Sequence, residues 1–212
     1  MQYSELDCIT NFTFLRGASH PHELVTMASN LGYRALAITD ECSLAGVVKA
    51  HVATFNRNIK LIIGSEFTID SHKVIVLVTN RNSYSKLSSL ITLARRRSKK
   101  GSYQIKWSDL KFNNDGLLII WLPCGDFKKD QLIISQLHDW FERRLWIGFH
   151  NLLNGTETSH LSYLQKLSLL WKVNVVACGD VHMHKKNRQP LQDVLTAIKQ
   201  KCSIMELSLI HI

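Results

Sequence analysis

The sequence predicts an α/β fold: strands covered on both faces, with helices between them, as an open sheet or a closed (β/α) barrel. Seven short runs are apolar and often β-branched, with little polar alternation, the pattern of strands buried on both sides. Amphipathic segments of helical period separate most of them, so strand–helix alternation repeats about six times. The 212 residues are 45% hydrophobic with only 3 Pro, enough apolar material for a sizeable core and too much for wholesale disorder.

In chain order the expected strands are Tyr3–Ile9, Ala35–Thr39, Lys60–Gly64, Lys73–Thr79, Gly116–Leu122, Leu145–Phe149 and Val173–Cys178. The first helix is expected over Pro21–Leu31, with Pro21 in its first turn, Ser19 and Glu23 bracketing its start and Gly32 at its end. Ser43–Arg57 sets Leu44, Val47, Val48, His51, Val52 and Phe55 at helical spacing, which points His51 to the core as a hydrogen-bonded histidine. Ser83–Arg97, Lys128–Arg143, Thr158–Lys172 and Pro190–Gln200 read likewise. Residues 98–115 are the one long polar stretch and the expected exposed excursion, where Trp107 could meet a partner surface. With no linker in view, one domain over 1–201 and a divergent tail over 202–212 is the simplest division.

Several classes drop out. No apolar run approaches the roughly 18 residues of a membrane span, and MQYSELDCIT lacks the pattern of a secretory leader, so a cytoplasmic protein without membrane contact is expected. Five cysteines without C-x-x-C spacing argue against a disulfide framework or zinc ribbon. The formal net charge of +9 favours polyanions, and RRRSKK concentrates Arg95, Arg96, Arg97, Lys99 and Lys100 as a candidate nucleic-acid contact. The same cations would also suit a helix C-terminus.

In α/β folds chemistry gathers where strands end. There the sequence places Asp7, Asp40-Glu41, Glu66 and Asp180-x-His182, carboxylates and an imidazole suited to Zn, Mn or Fe. Asp40 taken alone reads as a helix cap. His20 and His22 read as helix-start residues, His184 reads equally as lining the same strand ends as His182 or as a solvated loop histidine, and His72, His138, His150 and His160 carry no partner spacing.

FLRGASHP, AITDECSLAGVVKAH, IIGSEF and GDVHMH followed by RQPLQD, in that order, resemble the polymerase-and-histidinol-phosphatase (PHP) domain. More narrowly, they resemble the version that opens error-prone DNA polymerases, relatives of the bacterial DNA polymerase III alpha subunit. The resemblance implies a distorted (β/α)7 barrel of the PHP type and, in active members, a trinuclear metal cluster that hydrolyses phosphoesters. Asp7 and Ile9 stand where the family's first motif has His-x-His, and Arg16 stands where it has an acid before Gly17. Asp40-Glu41 matches an Asp-His motif, Glu66 the third-strand acid, and Asp180 with His182 the last motif. Of the two middle ligands, Cys124 offers one match and the other finds none.

What remains by resemblance is a degenerate metal site of Asp7, Glu66, Asp180 and His182, with Glu41 as a further member and Arg16 neutralising it. One weakly bound Zn or Mn is the most it implies, with Mg confined to a palm domain beyond this chain. The implied whole is a DNA-directed DNA polymerase for damage-induced mutagenic repair synthesis, partnered by DNA and by other repair-polymerase proteins, with this chain inactive alone. The alternative is a PHP-family phosphoesterase or 3′–5′ exonuclease.

Overall fold

The computed structural model describes residues 3–112, 114–151, 155 and 157–210; residue 113 of the expected excursion and residues 211 and 212 of the expected tail lie outside them. The elements are β1 (Ser4–Glu5), α1 (Pro21–Asn30), β2 (Ala35–Ile38), α2 (Val47–Thr54), β3 (Lys60–Ile69), β4 (His72–Val78), α3 (Arg81–Arg96) and α4 (Trp107–Lys111). Then follow β5 (Leu117–Leu122), α5 (Phe127–Phe141), β6 (Leu145–His150), α6 (Glu157–Trp171), β7 (Val175–Cys178), α7 (Gln189–Gln200) and α8 (Ile204–Ile210). Their contacts gather into two compact units, Met1–Ile62 with Asp180–Ile212, and Ile63–Gly179. Among the described residues no helix is long and apolar enough to cross a membrane.

In the first unit β1 pairs in parallel with β2, Ser4 opposite Ala35. The run expected as a strand to Ile9 is shorter, because the Glu5 carboxylate accepts the Leu6 and Asp7 N–H groups at 2.9 and 2.8 Å and takes them out of the ladder. Pairing resumes at Cys8, bridged in parallel to Val181. Helix α1 buries Pro21, Leu24, Val25 and Ala28, and the His20 N–H donates to Glu23 Oε2 at 2.8 Å at its start. Helix α2 begins later than the periodicity suggests and turns a different face inward. Val47, Ala50 and Ala53 are buried, while Val48, Val52, Phe55 and His51 are exposed. Two alanines let the α2 backbone approach closely, so small residues rather than large ones form its buried stripe. His51 is therefore a surface histidine, edge-on to Phe55 at 5.0 Å.

In the second unit β3, β4 and β5 are antiparallel neighbours, whereas β5–β6 and β6–β7 are parallel. The antiparallel part breaks the strand–helix alternation, since β3 and β4 are joined without a helix between them. Its origin is local: Asp70 and Ser71 have φ of +47° and +71°, the two left-handed residues of a tight hairpin turn. Phe67, Ile75, Ile119, Trp121, Ile134 and Leu137 are among the fully buried side chains. Stretch 98–115 is not a free excursion. It carries α4, with Ile105 and Leu110 buried, and Trp107 half-buried and edge-on to His72 at 5.7 Å. All five cysteines are free thiols.

Candidate functional site

In the first unit the β1 exit, the β2 exit and the segment after β7 supply the acids. Asp7 is fully buried and accepts Thr39 Oγ1–H at 3.1 Å. Its carboxylate oxygen lies within 4.8 Å of one from Asp180. The link is built into the backbone, since Val181 N–H donates to Asp7 C=O at 2.9 Å and Ile9 N–H to Val181 C=O at 3.0 Å. Asp180 adopts φ of +47°, a conformation tolerated by aspartate and often found at functional sites. His182 Nε2 stands 3.3 Å from Asp180 Oδ1, buried and without a hydrogen bond among the described residues. Three of the four expected ligands therefore share this unit, with Asp180 adjoining both Asp7 and His182. Glu66 belongs to the second unit.

Arg16 donates to Glu41 Oε2 at 2.7 Å, both side chains about four-fifths covered at 20% and 25% exposure. Asp40, beside Glu41, is not a helix cap. Its carboxylate accepts Thr10 N–H and Thr13 Oγ1–H at 2.7 Å each and Thr10 Oγ1–H at 2.9 Å, tying loop 10–17 to the β2 exit. Burial pushes the Asp40 carboxyl above the usual carboxylate range, against those hydrogen bonds. The loop is close-packed: a Cβ on Gly17 would fall 1.9 Å from Thr10 O, and one on Gly46 would fall 2.5 Å from Asp40 Oδ2.

His184 is not a solvated loop histidine. Its side chain is 7% exposed, its Nδ1 lies 2.7 Å from Ser19 Oγ, and burial lowers its pKa. Both the hydroxyl and the nearest Glu23 oxygen approach Nδ1, so no hydroxyl is set against a ring nitrogen whose opposite side is held by an acid, as nucleophilic catalysis requires. Glu23 also pairs with Arg188; burial raises its carboxyl, but the His20 N–H and Arg188 outweigh this and lower its pKa.

In the second unit the expected ligand Glu66 is 2% exposed and its Oε2 lies 2.7 Å from Lys73 Nζ. Lys73 escaped the sequence reading, although one lysine in the apolar run HKVIVLV was the signal for a buried partner. Register fixes the geometry. Glu66 faces Ile75 across the hairpin, so Glu66, Ile75 and Lys73 share one face of β3–β4 and His72 points to the other.

Of the basic cluster, Arg95 lies 5.4 Å from the Tyr103 ring centre and Arg97 pairs with Asp109. Arg96, Lys99 and Lys100 are exposed, and Arg96 and Arg97 border a groove of about 520 Å³ with Ser88, Ser89, Thr92 and Leu93.

Asp7 and Asp180 bring carboxylate oxygens within 4.8 Å of each other, a pair that fits a hard or borderline divalent ion, and His182 Nε2 stands 3.3 Å from Asp180 Oδ1. Ile9, 1% exposed, contributes no donor atom.

The PHP domain family matches residues 5–145. Error-prone DNA polymerases from Saccharophagus degradans, Dechloromonas aromatica and Methylococcus capsulatus are 48%, 44% and 46% identical over 98%, 97% and 97% of the chain. The chain spans about 20% of the length of each of these relatives. Among solved structures, a candidate metal-dependent phosphoesterase from Bifidobacterium adolescentis aligns with 85% of this chain and 88% of its own, at a TM-score of 0.62 and 16% identity. An amidohydrolase from Chromobacterium violaceum aligns with 85% and 87%, at 0.56 and 16%. At such identities the likeness concerns the fold alone.

Proposed function

The chain belongs to the PHP domain family, and from that premise we propose that it is the N-terminal module of an error-prone DNA polymerase acting in damage-induced mutagenic repair synthesis, with its own metal site reduced to a non-catalytic remnant. The observation that carries this reading is the match to polymerases along nearly the whole chain at 42–48% identity. The remnant reading draws on charge. Arg16 lies on Glu41 and Lys73 on Glu66, so fixed cations accompany two of the acids that would otherwise offset the repulsion between metal ions. Asp7 and Asp180, with His182 beside Asp180, would hold at most one weakly bound Zn or Mn, which when bound would polarise a phosphate oxygen or activate a water.

Within the polymerase the module would contact DNA through Arg96, Lys99 and Lys100, with Arg95 and Arg97 more engaged internally. Nucleotidyl transfer would belong to a palm domain with its own Mg²⁺. The test is a pair of assays. A longer product of the gene carrying this chain should extend a primer, while the isolated chain supplied with Mn²⁺ or Zn²⁺ should release neither phosphate from a model ester nor nucleotides from a 3′ end.

A second reading, a PHP-family phosphoesterase or 3′–5′ exonuclease, is favoured by the buried His182 Nε2 beside Asp180. Metal-dependent hydrolysis by the isolated chain that disappears in Asp180→Ala would replace the first reading with this one.

A further inference from the structure

A second cluster of metal-binding side chains lies within the second unit, on the opposite face of the β3–β4 hairpin from Glu66. His72 opens β4, Cys124 follows β5, and Asp130 sits in the first turn of α5; one ligand atom from each lies within 4.8 Å of the others. Cys124, matched by resemblance to a middle ligand of the family site, meets His72 and Asp130 instead, and we propose that His72, Cys124 and Asp130 form a zinc-type site, separate from the Asp7–Asp180 group and open at its fourth coordination position.

The geometry suits the ion. A tetrahedral Zn²⁺ with bonds of about 2.0–2.1 Å to nitrogen and oxygen holds those atoms about 3.3–3.4 Å apart. His72 Nδ1 and Asp130 Oδ1 are 3.5 Å apart. Both side chains are almost wholly buried, at 3% and 0% exposure. The histidine is suited to act as a neutral ligand, because burial lowers its pKa against the pull of Asp130. Among the described residues its Nδ1 accepts a long 3.3 Å hydrogen bond from Trp121 Nε1–H, which the ion would have to displace.

The carboxylate is already aimed. Asp130 Oδ2 accepts Gly125 N–H at 2.9 Å and Tyr163 O–H at 2.5 Å, which fills its two lone pairs. Oδ1 accepts Cys124 N–H at 3.1 Å and keeps one lone pair, on the atom nearest His72. These outer bonds would orient the ligand before the ion arrives. They also explain why Tyr163 is held as the neutral phenol, its pKa raised by burial and by the Asp130 carboxylate. Asp70 and Asp126 add negative potential around His72, and Lys129 opposes it.

Cys124 is the exposed member. On binding, its thiol would lose a proton to solvent and form the sulfur–metal bond. It borders a surface pocket of about 350 Å³ with Pro123, Gly125, Ser159, His160 and Tyr163, which gives water or a small anion access to the fourth position.

Titration of the purified chain with Co²⁺, followed by competition with Zn²⁺, tests the proposal. The expected result is an intense thiolate-to-cobalt band in the near ultraviolet that saturates at one Co²⁺ per Cys124 site, whatever the Asp7–Asp180 group binds, and that Zn²⁺ removes. Cys124→Ser, a surface change, should abolish that band, and His72→Gln should lower the affinity at least about tenfold, each with unchanged far-ultraviolet circular dichroism. Asp180→Ala should leave the band intact, which separates this site from the family-type remnant. No thiolate band at saturating Co²⁺, a band that survives Cys124→Ser, or one that vanishes in Asp180→Ala would each overturn the assignment. None of these outcomes depends on phosphoesterase or polymerase activity.

Discussion

Replacing Lys73 by methionine removes the charge that faces Glu66 while keeping a stem of similar length. At 2.7 Å and an effective dielectric constant of about 20, the gross Coulomb attraction is about 6 kcal/mol, most of it offset by the desolvation of both groups. Removing one partner of a fully buried pair costs about 3–5 kcal/mol. Glu66 is buried at 3% side-chain exposure, but the Lys73 side chain is 20% exposed and water screens part of the loss, so about 2–3 kcal/mol is expected. With a urea slope of about 2–3 kcal/mol per molar, the unfolding midpoint should fall by about 1 M. Glu66→Gln alone should also destabilise, since it leaves the ammonium facing a neutral amide. The double variant should recover part of the sum, with a coupling of at least about 1 kcal/mol. Additive single effects, or a Lys73→Met protein as stable as the parent, would refute the claim that Lys73 compensates Glu66.

Three further outcomes follow from the same coordinates. Gly46→Ala, at the α2 N-cap, places a Cβ 2.5 Å from Asp40 Oδ2 and should cost about 1–3 kcal/mol in urea unfolding; a neutral result would show that loop 10–17 yields easily. His72 and His184 are both held below the ordinary histidine pKa by burial, so below about pH 6.5 the unfolded chain binds protons that the folded chain does not. Stability should therefore fall as pH drops from 7 toward 5, before Asp40, whose pKa is raised, contributes in the opposite direction nearer pH 4; a urea midpoint that is flat from pH 7 to 5 contradicts this. Changing Arg96, Lys99 and Lys100 to glutamine should weaken binding of any DNA sequence and reduce the slope of log affinity against log salt by about 2–3, and an unchanged slope would remove this cluster from the DNA-contact reading.

Much of the architecture was legible because burial imposes period. Helices α1, α3, α5 and α7 and strands β2 and β5 lie close to where apolar spacing, Pro21 and Gly32 put them. The four motifs that resemble the PHP domain are local strings, and they pointed to the matched family. Two departures lie outside what apolar periodicity registers. The α2 face was assigned by counting large apolar residues, yet the packed stripe is Ala50 and Ala53, chosen by how closely the neighbouring helix can approach. The strand expected to reach Ile9 ends at Glu5, because a side chain competes for backbone N–H groups, which apolar periodicity does not register.

Of the candidate site, the sequence by itself determined the residue types: Asp7, Glu66, Asp180 and His182 at strand ends, and Ile9 and Arg16 in place of donors. Only tertiary structure decided the company each of them keeps. Arg16 turned to Glu41, Lys73 to Glu66, Asp40 became the anchor of a threonine loop rather than a cap, and His72 met Asp130 from 58 residues further along the chain. The physical reason is that Coulomb and hydrogen-bond energies depend on separations of a few ångströms and on how much water is removed. Both are set when distant segments pack, and no spacing along the chain encodes them.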